Sequence, residues 1–127
     1  MNPGRKQSVL VVDDAEITRL MLRILLQSLG VEIIYEAENG ARAVEIFRQE
    51  KPDLTLLDVN MPVMGGHDAL EIMLGENPDT HVVMLTAEGR GDVVEACLAA
   101  GAKGYIRKDL PPDELKTHFN ALLKGEP

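Results

Sequence analysis

The sequence predicts an α/β fold in which a parallel sheet of five strands carries five helices on its two faces. Short apolar runs alternate with longer segments of helical periodicity, which is the pattern of a doubly wound sheet. The first run, Val9–Val12, is continuously apolar, as expected of a central strand buried on both faces. Because ligands bind where the strands of such a sheet end, the residues that follow each run are the first candidates for a functional site.

The other strands are predicted from similar runs and from the turn residues around them. The second run is less apolar than the first and is therefore expected at the edge of the sheet. These four strands are predicted at Val31–Ala37, Leu54–Asp58, His81–Thr86 and Gly104–Lys108.

Helical segments fill the intervals between the strands. Gly30 and Gly101 end the first and fourth helices, and Pro111-Pro112 open the last, since proline tolerates a first helical turn. The loop Asn60–Gly66 precedes the third helix. The first four helices are predicted at Ala15–Leu29, Ala41–Gln49, from Gly66 to about Gly75, and at Asp92–Ala100.

The first helix has more apolar residues than one buried face requires. Helical spacing favours an inward stripe formed by Ile17, Leu20, Met21, Ile24 and Ser28. A second stripe beside it is formed by Leu22, Leu25, Leu26 and Leu29. This second stripe fits either a broad buried wedge or a docking surface for a kinase helix or a second copy of the chain. In the second and fifth helices the inward residues are predicted to be Val44, Phe47, Leu115, Phe119 and Leu122.

Composition narrows the class of protein. A chain of 127 residues with 45% apolar residues fits one globular domain, 1–127, whose folded core extends from about residue 8 to residue 123. The first seven and last three residues are expected to fray. The net charge of −8 argues against direct nucleic-acid binding. No apolar run approaches a membrane span and no secretory signal is visible, so the expected location is the cytoplasm. Roles in packing or at the surface are expected for Cys97, His67, His81 and His118.

Polar residues stand at the ends of four predicted strands. Asp13-Asp14 follow the first strand, whereas Asp58, Thr86 and Lys108 end the third, fourth and fifth. The sheet would therefore gather three carboxylates, a hydroxyl and an ammonium at one edge. Carboxylates so close must protonate or hold a cation, and such hard oxygen ligands suit Mg²⁺. A divalent ion, an ammonium and a hydroxyl are the groups that a phosphoryl group requires around it.

Two further motifs accompany these residues. Met61–Gly66 has the form Met-Pro-x-Met-x-Gly, and Gly101–Lys108 leads into the lysine at the end of the fifth strand. With these motifs in this order, the sequence from about Ser8 to Leu123 resembles the receiver domain of two-component response regulators, of the single-domain kind found in chemotaxis. The resemblance implies a flavodoxin-like doubly wound fold with strand order 2-1-3-4-5.

The resemblance also implies a role for each residue at the edge. Asp58 would accept a phosphoryl group from a phosphohistidine on a partner and form an acyl phosphate. Lys108 would pair first with Asp58 and then with a phosphoryl oxygen, and Thr86 would donate a hydrogen bond to another oxygen. The ligands of Mg²⁺, directly or through water, would be Asp13, Asp14, Asp58 and the backbone carbonyl of Asn60.

The same resemblance implies a conformational switch and identifies residues that would influence the lifetime of the phosphoryl group. When Thr86 moves towards the phosphoryl group, the Tyr105 ring would turn inward and reshape the face formed by helix four, strand five and helix five. Asn60 and Glu88 would flank the path of the attacking water and influence how long the phosphoryl group persists. The competing interpretation is that these two are solvated loop residues.

The sequence departs from the family pattern at two places. Asp109 stands after Lys108 where most members have proline, so the usual cis peptide cannot be assumed there, and its carboxylate could compete for the lysine. Gly65 stands where an acidic or amide residue often begins the helix, at a cost of a few tenths of a kcal/mol. Neither departure removes a reacting group.

The implied partners are a histidine kinase or histidine phosphotransfer protein as donor, and a downstream protein target or fused effector domain as output. Neither nucleic acid nor a membrane is expected as a direct partner. The chain would be a monomer or a dimer promoted by phosphorylation. It would be a phosphoacceptor that catalyses its own transfer and hydrolysis, not a turnover enzyme.

Three other classes of protein share part of this pattern. A phosphatase of the haloacid dehalogenase type uses Asp-x-Asp after its first strand, whereas this chain has Asp58-Val59-Asn60 after its third. A flavodoxin-like redox protein shares the fold, but the carboxylates would repel a flavin phosphate. A phosphorylation-independent interaction module with a receiver fold is the main alternative, although the complete set of acidic, hydroxyl and lysine residues argues against it.

Overall fold

A computed structural model describes residues 7–87 and 91–125 of the chain. Its strands are β1 (Ser8–Val12), β2 (Ile33–Ala37), β3 (Leu54–Asp58), β4 (Val82–Thr86) and β5 (Gly104–Arg107). They form one parallel sheet in the order β2-β1-β3-β4-β5, which confirms the predicted order and the edge position of β2. The three central strands are buried along their whole length, because helices cover both faces of the sheet.

The helices lie in two layers. Their bounds are α1 (Glu16–Ser28), α2 (Gly40–Glu50), α3 (Gly66–Glu76), α4 (Gly91–Ala100) and α5 (Pro112–Leu123). Helices α1 and α5 pack on one face of the sheet around Leu22, Leu26 and Phe119. On the other face, α2, α3 and α4 enclose a second core that includes Phe47 and Met73. The predicted α/β architecture with helices on two faces is therefore confirmed.

The start of β2 shows how the end of a helix competes with a strand for backbone groups. Val31 was expected to begin β2, but its N–H donates to the Leu26 carbonyl at 3.1 Å, and the strand begins at Ile33. Gly30 supplies the left-handed conformation, with φ of 94°, that this helix-ending arrangement requires. Val31 is buried nevertheless, as part of the core beneath α1.

The predicted inward face of α1 is wrong for most of its residues, although Met21 is partly buried and packs against the core as expected. Ile17, Leu20 and Ile24 are exposed, by 74%, 38% and 55%, while Leu22 and Leu26 are fully buried. The core stripe is instead the second one, formed by Leu22, Leu25, Leu26 and Leu29. Of the two interpretations of this stripe, the buried wedge is therefore correct and the docking surface is wrong. Both stripes have helical spacing, and the sequence of the helix alone does not say which one meets the sheet.

Ion pairs on α1 contribute to this orientation. Arg19 and Arg23 both reach Glu36 on β2, with N–O distances of 3.2 and 2.7 Å. These contacts are compatible with the orientation in which the leucine stripe faces the sheet and buries Leu22 and Leu26.

The remaining expectations on packing are mostly confirmed. Val44 and Phe47 face the core from α2, and Leu115 and Phe119 face it from α5. Leu123 rather than Leu122 completes the buried side of α5. Gln7, expected in a frayed segment, donates from its side-chain amide to the Leu123 carbonyl at 3.0 Å. Residues 1–6 and 126–127, to which the expectation of fraying also applied, lie outside the described residues.

Within the described ranges 7–87 and 91–125, none of the helices is long and apolar enough to span a membrane.

Candidate functional site

The register of the sheet brings the predicted site residues to one edge. Val12 at the end of β1 pairs with Leu57, so Asp13 lies level with Asp58 on the neighbouring strand. The N–H of Lys108 donates to the Thr86 carbonyl at 2.9 Å, which continues the pairing of β4 and β5 beyond the last strand residue. The strand ends that carry these residues therefore lie side by side, as the sequence predicts.

Lys108 bridges two buried carboxylates. Its Nζ donates to Asp13 Oδ2 and to Asp58 Oδ2, each at 3.0 Å. Both aspartates are almost fully buried, at 0% and 2% exposure. The contact with Asp58 was expected from the resemblance, whereas the contact with Asp13 was not. Because each carboxylate has a cationic partner, burial of the two acids is tolerated.

The electrostatics of the site are unbalanced in favour of negative charge. Burial and the nearby Asp13 carboxylate raise the pKa of Asp58 to about 6, although Lys108 acts in the opposite direction. Burial alone would lower the pKa of Lys108, but its hydrogen bonds to Asp13 and Asp58 outweigh that effect and the pKa is raised. The lysine therefore stays charged and one cation faces two acids.

The carboxylates fit a divalent cation. Carboxylate oxygens of Asp13, Asp14 and Asp58 lie within 4.8 Å of one another. Asp14 is exposed, so the group is open to solvent on one side while its other two members are buried. Three hard oxygen donors with one open side form the kind of donor set that holds Mg²⁺ together with water. A cation there would also offset the excess negative charge.

Thr86 and Tyr105 are the residues of the expected switch, and they differ in burial. The Thr86 hydroxyl is buried and donates to the Ala87 carbonyl at 3.0 Å. Tyr105 is 52% exposed. The exposed Ala87 adds little bulk at the end of β4.

Asn60 and Asp109 stand beside the carboxylate cluster. The Asn60 N–H donates to Asp58 Oδ1 at 3.3 Å, which places its peptide against the carboxylate. Asp109 does not compete for Lys108, contrary to the concern raised by the sequence. Instead, Asp109 accepts hydrogen bonds from Nε and Nη2 of Arg107, at 3.0 and 2.7 Å. The peptide bond between Lys108 and Asp109 is trans. Glu88, the second residue proposed to influence phosphoryl lifetime, lies outside the described residues.

The loop that follows Asp58, residues 59–65, is held in an unusual conformation that sequence reasoning missed. Val63 has φ of 69°, a left-handed value that is rare for a β-branched residue, and is 84% exposed. The Met64 N–H donates to the Pro62 carbonyl at 2.7 Å, which closes a γ-turn around Val63. The available signal was the pair of glycines, Gly40 and Gly66, at the starts of the flanking helices.

A second group of possible metal ligands lies on α3. Ligand atoms of His67, Asp68 and Glu71 lie within 4.8 Å of one another, although no such spacing was recognised in the sequence. His67 and Glu71 already contact each other at 3.0 Å, and both are partly or fully exposed to solvent.

The fold and the carboxylate edge define a doubly wound domain with an acidic, lysine-bridged site, and comparison with known proteins identifies the family. The family model for the response regulator receiver domain matches residues 9–120. The chain belongs to this family, and is a CheY-like response regulator receiver domain of two-component signalling.

Individual relatives agree with this assignment. The chain is 35% identical to chemotaxis protein CheY of Thermotoga maritima, over 91% of this chain and 97% of that one. It is 36% identical to CheY of Bacillus subtilis, over 91% and 96% of the two chains. The crystal structure of a complex of CheX, CheY, BeF3 and Mg²⁺ from Borrelia burgdorferi superposes with a TM-score of 0.87 at 30% identity, covering 96% of this chain and 92% of that one.

Proposed function

We propose that this receiver domain accepts a phosphoryl group on Asp58 from the phosphohistidine of a kinase or phosphotransfer protein, with Mg²⁺ bound beside it. The observation that carries the proposal is the pair of buried carboxylates, Asp13 and Asp58, bridged by Lys108 at 3.0 Å from each. A structural role alone does not account for this arrangement, because the net negative charge and the raised pKa of Asp58 oppose folding.

The reaction is a displacement at phosphorus. A carboxylate oxygen of Asp58 forms a bond to phosphorus as the bond to the donor's imidazole nitrogen breaks, and the nitrogen keeps the electron pair. Lys108 Nζ already contacts Asp58 Oδ2, so it is placed to donate to an oxygen of the transferred group. Hydrolysis by water then restores the carboxylate, so the domain is a transient phosphoacceptor and not a turnover enzyme.

The metal would be held by Asp13, Asp14, Asp58 and the Asn60 backbone carbonyl. When bound, Mg²⁺ supplies positive charge that stabilises the attacking carboxylate and the phosphoryl oxygens. Asp14 is the exposed member and leaves one side of the cluster open to water and to the donor. The CheY complex that contains BeF3 and Mg²⁺ supports this assignment by its similarity to the present chain.

The output of the reaction is proposed to run through Thr86 and Tyr105. In the present conformation Thr86 donates to the Ala87 carbonyl and Tyr105 is half exposed. A phosphoryl oxygen near Lys108 would offer the Thr86 hydroxyl a charged acceptor in place of a neutral carbonyl. The move would leave space behind Thr86 for the tyrosine ring and change the face of α4, β5 and α5.

The implied partners are a phosphohistidine donor and a downstream protein that recognises the altered face. The complex of CheY with CheX in the Borrelia burgdorferi structure is one case of a CheY with a protein partner. A dimer formed upon phosphorylation is an alternative output through the same face.

Intact mass spectrometry after incubation with acetyl phosphate tests the proposal. We expect one added phosphoryl group when Mg²⁺ is present, and none when it is absent or when Asp58 is replaced in Asp58→Asn. Asp53→Asn is the matched control, because Asp53 precedes β3 and binds Ser8 at the opposite end of the strand.

A failure of the proposal has a clear signature. Acetyl phosphate and a purified phosphohistidine donor should each be used, since a receiver can discriminate between donors. If neither adds a phosphoryl group and Mg²⁺ does not bind, the chain is a phosphorylation-independent interaction module with a receiver fold.

A further inference from the structure

Two helices begin with a glycine that touches the loop after Asp58. Gly40 is the first residue of α2 and Gly66 the first residue of α3, and both are buried. Neither has the positive φ that favours glycine, unlike Gly30 and Gly101. Glycine also weakens helices, by about 1 kcal/mol relative to alanine within them. The reason for glycine at these two places must therefore be steric.

At Gly66 the missing side chain makes room for the backbone of the acceptor residue. A Cβ atom there would overlap the Asp58 carbonyl oxygen and lie 3.0 Å from Val59 Cα. The Gly66 N–H donates to the Val59 carbonyl at 3.0 Å. The first turn of α3 is thus seated directly on the peptide that joins Asp58 to Val59.

At Gly40 the same arrangement fixes the far end of the loop. A Cβ atom there would overlap the Met64 carbonyl oxygen and lie 3.0 Å from Met64 Cβ. The Gly40 N–H donates to that carbonyl at 3.0 Å. Helix α2 contributes no side chain to the carboxylate cluster, yet its first residue holds the loop that carries Asn60.

The strained turn between the two contacts shows that they constrain the loop. Val63 adopts φ of 69°, and conformations of this kind cost about 1–3 kcal/mol and persist only where the surroundings impose them. Val63 is 84% exposed, so its own side chain cannot supply the constraint. The hydrogen bonds at Met64 and Val59, on either side of it, do so.

We infer that Gly40 and Gly66 are positioning residues, which seat the loop 59–65 on α2 and α3 and thereby fix the Asp58 backbone and the Asn60 carbonyl for metal binding and phosphoryl transfer. This inference rests on the function proposed above. Two residues without side chains would thus supply part of the preorganisation of the site.

Four alanine variants test the inference. Gly66→Ala and Gly40→Ala introduce the overlaps, whereas Gly75→Ala in α3 and Gly91→Ala at the start of α4 are controls, because no atom of the described residues lies within 4 Å of the new Cβ. We expect Gly66→Ala to lower the rate of phosphorylation by acetyl phosphate at least about tenfold, since small displacements of reacting groups have effects of that order. Gly40→Ala should lower the rate less, because Gly40 contacts Met64 at the far end of the loop, whereas Gly66 contacts Asp58 itself. The controls should stay within about twofold of the wild type.

The Mg²⁺ dissociation constant, measured by calorimetry, separates positioning from a general loss of stability. It should rise in Gly66→Ala and Gly40→Ala and be unchanged in the controls, all measured below their unfolding temperatures. If both variants fold, bind Mg²⁺ as tightly as the controls and are phosphorylated by acetyl phosphate as fast as the controls, the inference is wrong.

Amide hydrogen exchange of the wild type tests the two glycine contacts even if a variant fails to fold. The Gly40 and Gly66 N–H groups should be protected, although first-turn amides of a helix lack partners within the helix. Exchange as fast as in an unstructured peptide would overturn the inference. If neither acetyl phosphate nor a phosphohistidine donor phosphorylates the wild type, the proposed function fails, but Mg²⁺ affinity and exchange still decide the role of the glycines.

Discussion

Two groups of paired charges in this domain have similarly short contacts but differ in burial. At the carboxyl edge of the sheet, Lys108 lies 3.0 Å from Asp13 and Asp58, both buried. Between the far ends of α2 and α3, Arg48 lies 2.6 Å from Glu76, and both are exposed. The shorter contact is the less consequential one, because water screens exposed charges and stabilises them when they are unpaired. Burial therefore matters more than distance for the effect of an ion pair on stability.

The largest effect on stability is expected from removing the shared cation. Lys108→Met leaves two buried carboxylates unpaired, and the free energy of unfolding at pH 8 without Mg²⁺ should fall by roughly 3–5 kcal/mol. Urea denaturation followed by circular dichroism measures it. The loss should shrink when Asp58→Asn is added, because one carboxylate is then neutral. An equal loss in both backgrounds would refute the electrostatic explanation.

The pH dependence of stability should show the cost of ionising Asp58 in the same cluster. Because the pKa of Asp58 is raised to about 6 from 3.8, the folded state binds a proton more tightly than the unfolded state does. This contribution to stability is fully present below pH 3.8 and is lost as the pH rises through 6. The shift corresponds to roughly 3 kcal/mol at most. Urea midpoints in Mg²⁺-free buffer should therefore fall between pH 5 and pH 7 in the wild type.

Asp58→Asn is the control for that pH dependence. The variant cannot titrate at this position, so its unfolding midpoint should fall less over the same range. Parallel curves for the two proteins would contradict the assignment of the pH dependence to Asp58.

A smaller effect is expected from a buried polar group that has no partner. The Thr55 hydroxyl on β3 is fully buried and forms no hydrogen bond within the described part of the chain. Thr55→Val keeps the shape and removes the hydroxyl, so it should raise the free energy of unfolding by about 1 kcal/mol. Thr86→Val is the comparison, since the Thr86 hydroxyl has a hydrogen-bond acceptor in Ala87. Destabilisation by Thr55→Val would indicate that the hydroxyl has a partner in solution.

The smallest effect is expected at the exposed ion pair. Hydrogen bonding with Glu76 raises the pKa of Arg48, and that of Glu76 is lowered in turn, but solvent screens the pair. Arg48→Ala should leave the urea midpoint unchanged within error, and Glu76→Ala should do the same. A clear loss in either variant would mean that the link between α2 and α3 matters more than its exposure suggests.

The sequence predicts those parts of the site that depend only on strand ends. Asp13, Asp58 and Lys108 follow or end apolar runs, and a parallel sheet must bring such positions to one edge, whatever the details of packing. The strand β3 has the predicted bounds for the same reason, because its apolar run ends abruptly at a charged residue.

The parts that failed depend on contacts between distant segments. The exposed face of α1 could not be chosen from its periodicity, because both apolar stripes have helical spacing and the choice depends on how the helix packs against the sheet and on the pairing of Arg19 and Arg23 with Glu36. Asp109 was expected to oppose Lys108, but the position of the Arg107 side chain decides otherwise. The roles of the helix-initial glycines could not be deduced from sequence either, since a glycine at a helix start does not show which backbone atoms lie against it.

The hydrogen bond from Gln7 to the Leu123 carbonyl brings the start of β1 and the end of α5 together at the amino edge of the sheet. The two ends of the described chain therefore lie close together, at the opposite end of the strands from the carboxylates. A short linker could join residues 7 and 123 and new ends could be opened in an exposed loop without disturbing the site. Circular permutation of this kind would turn the domain into an insertable module that reports phosphorylation from within another protein.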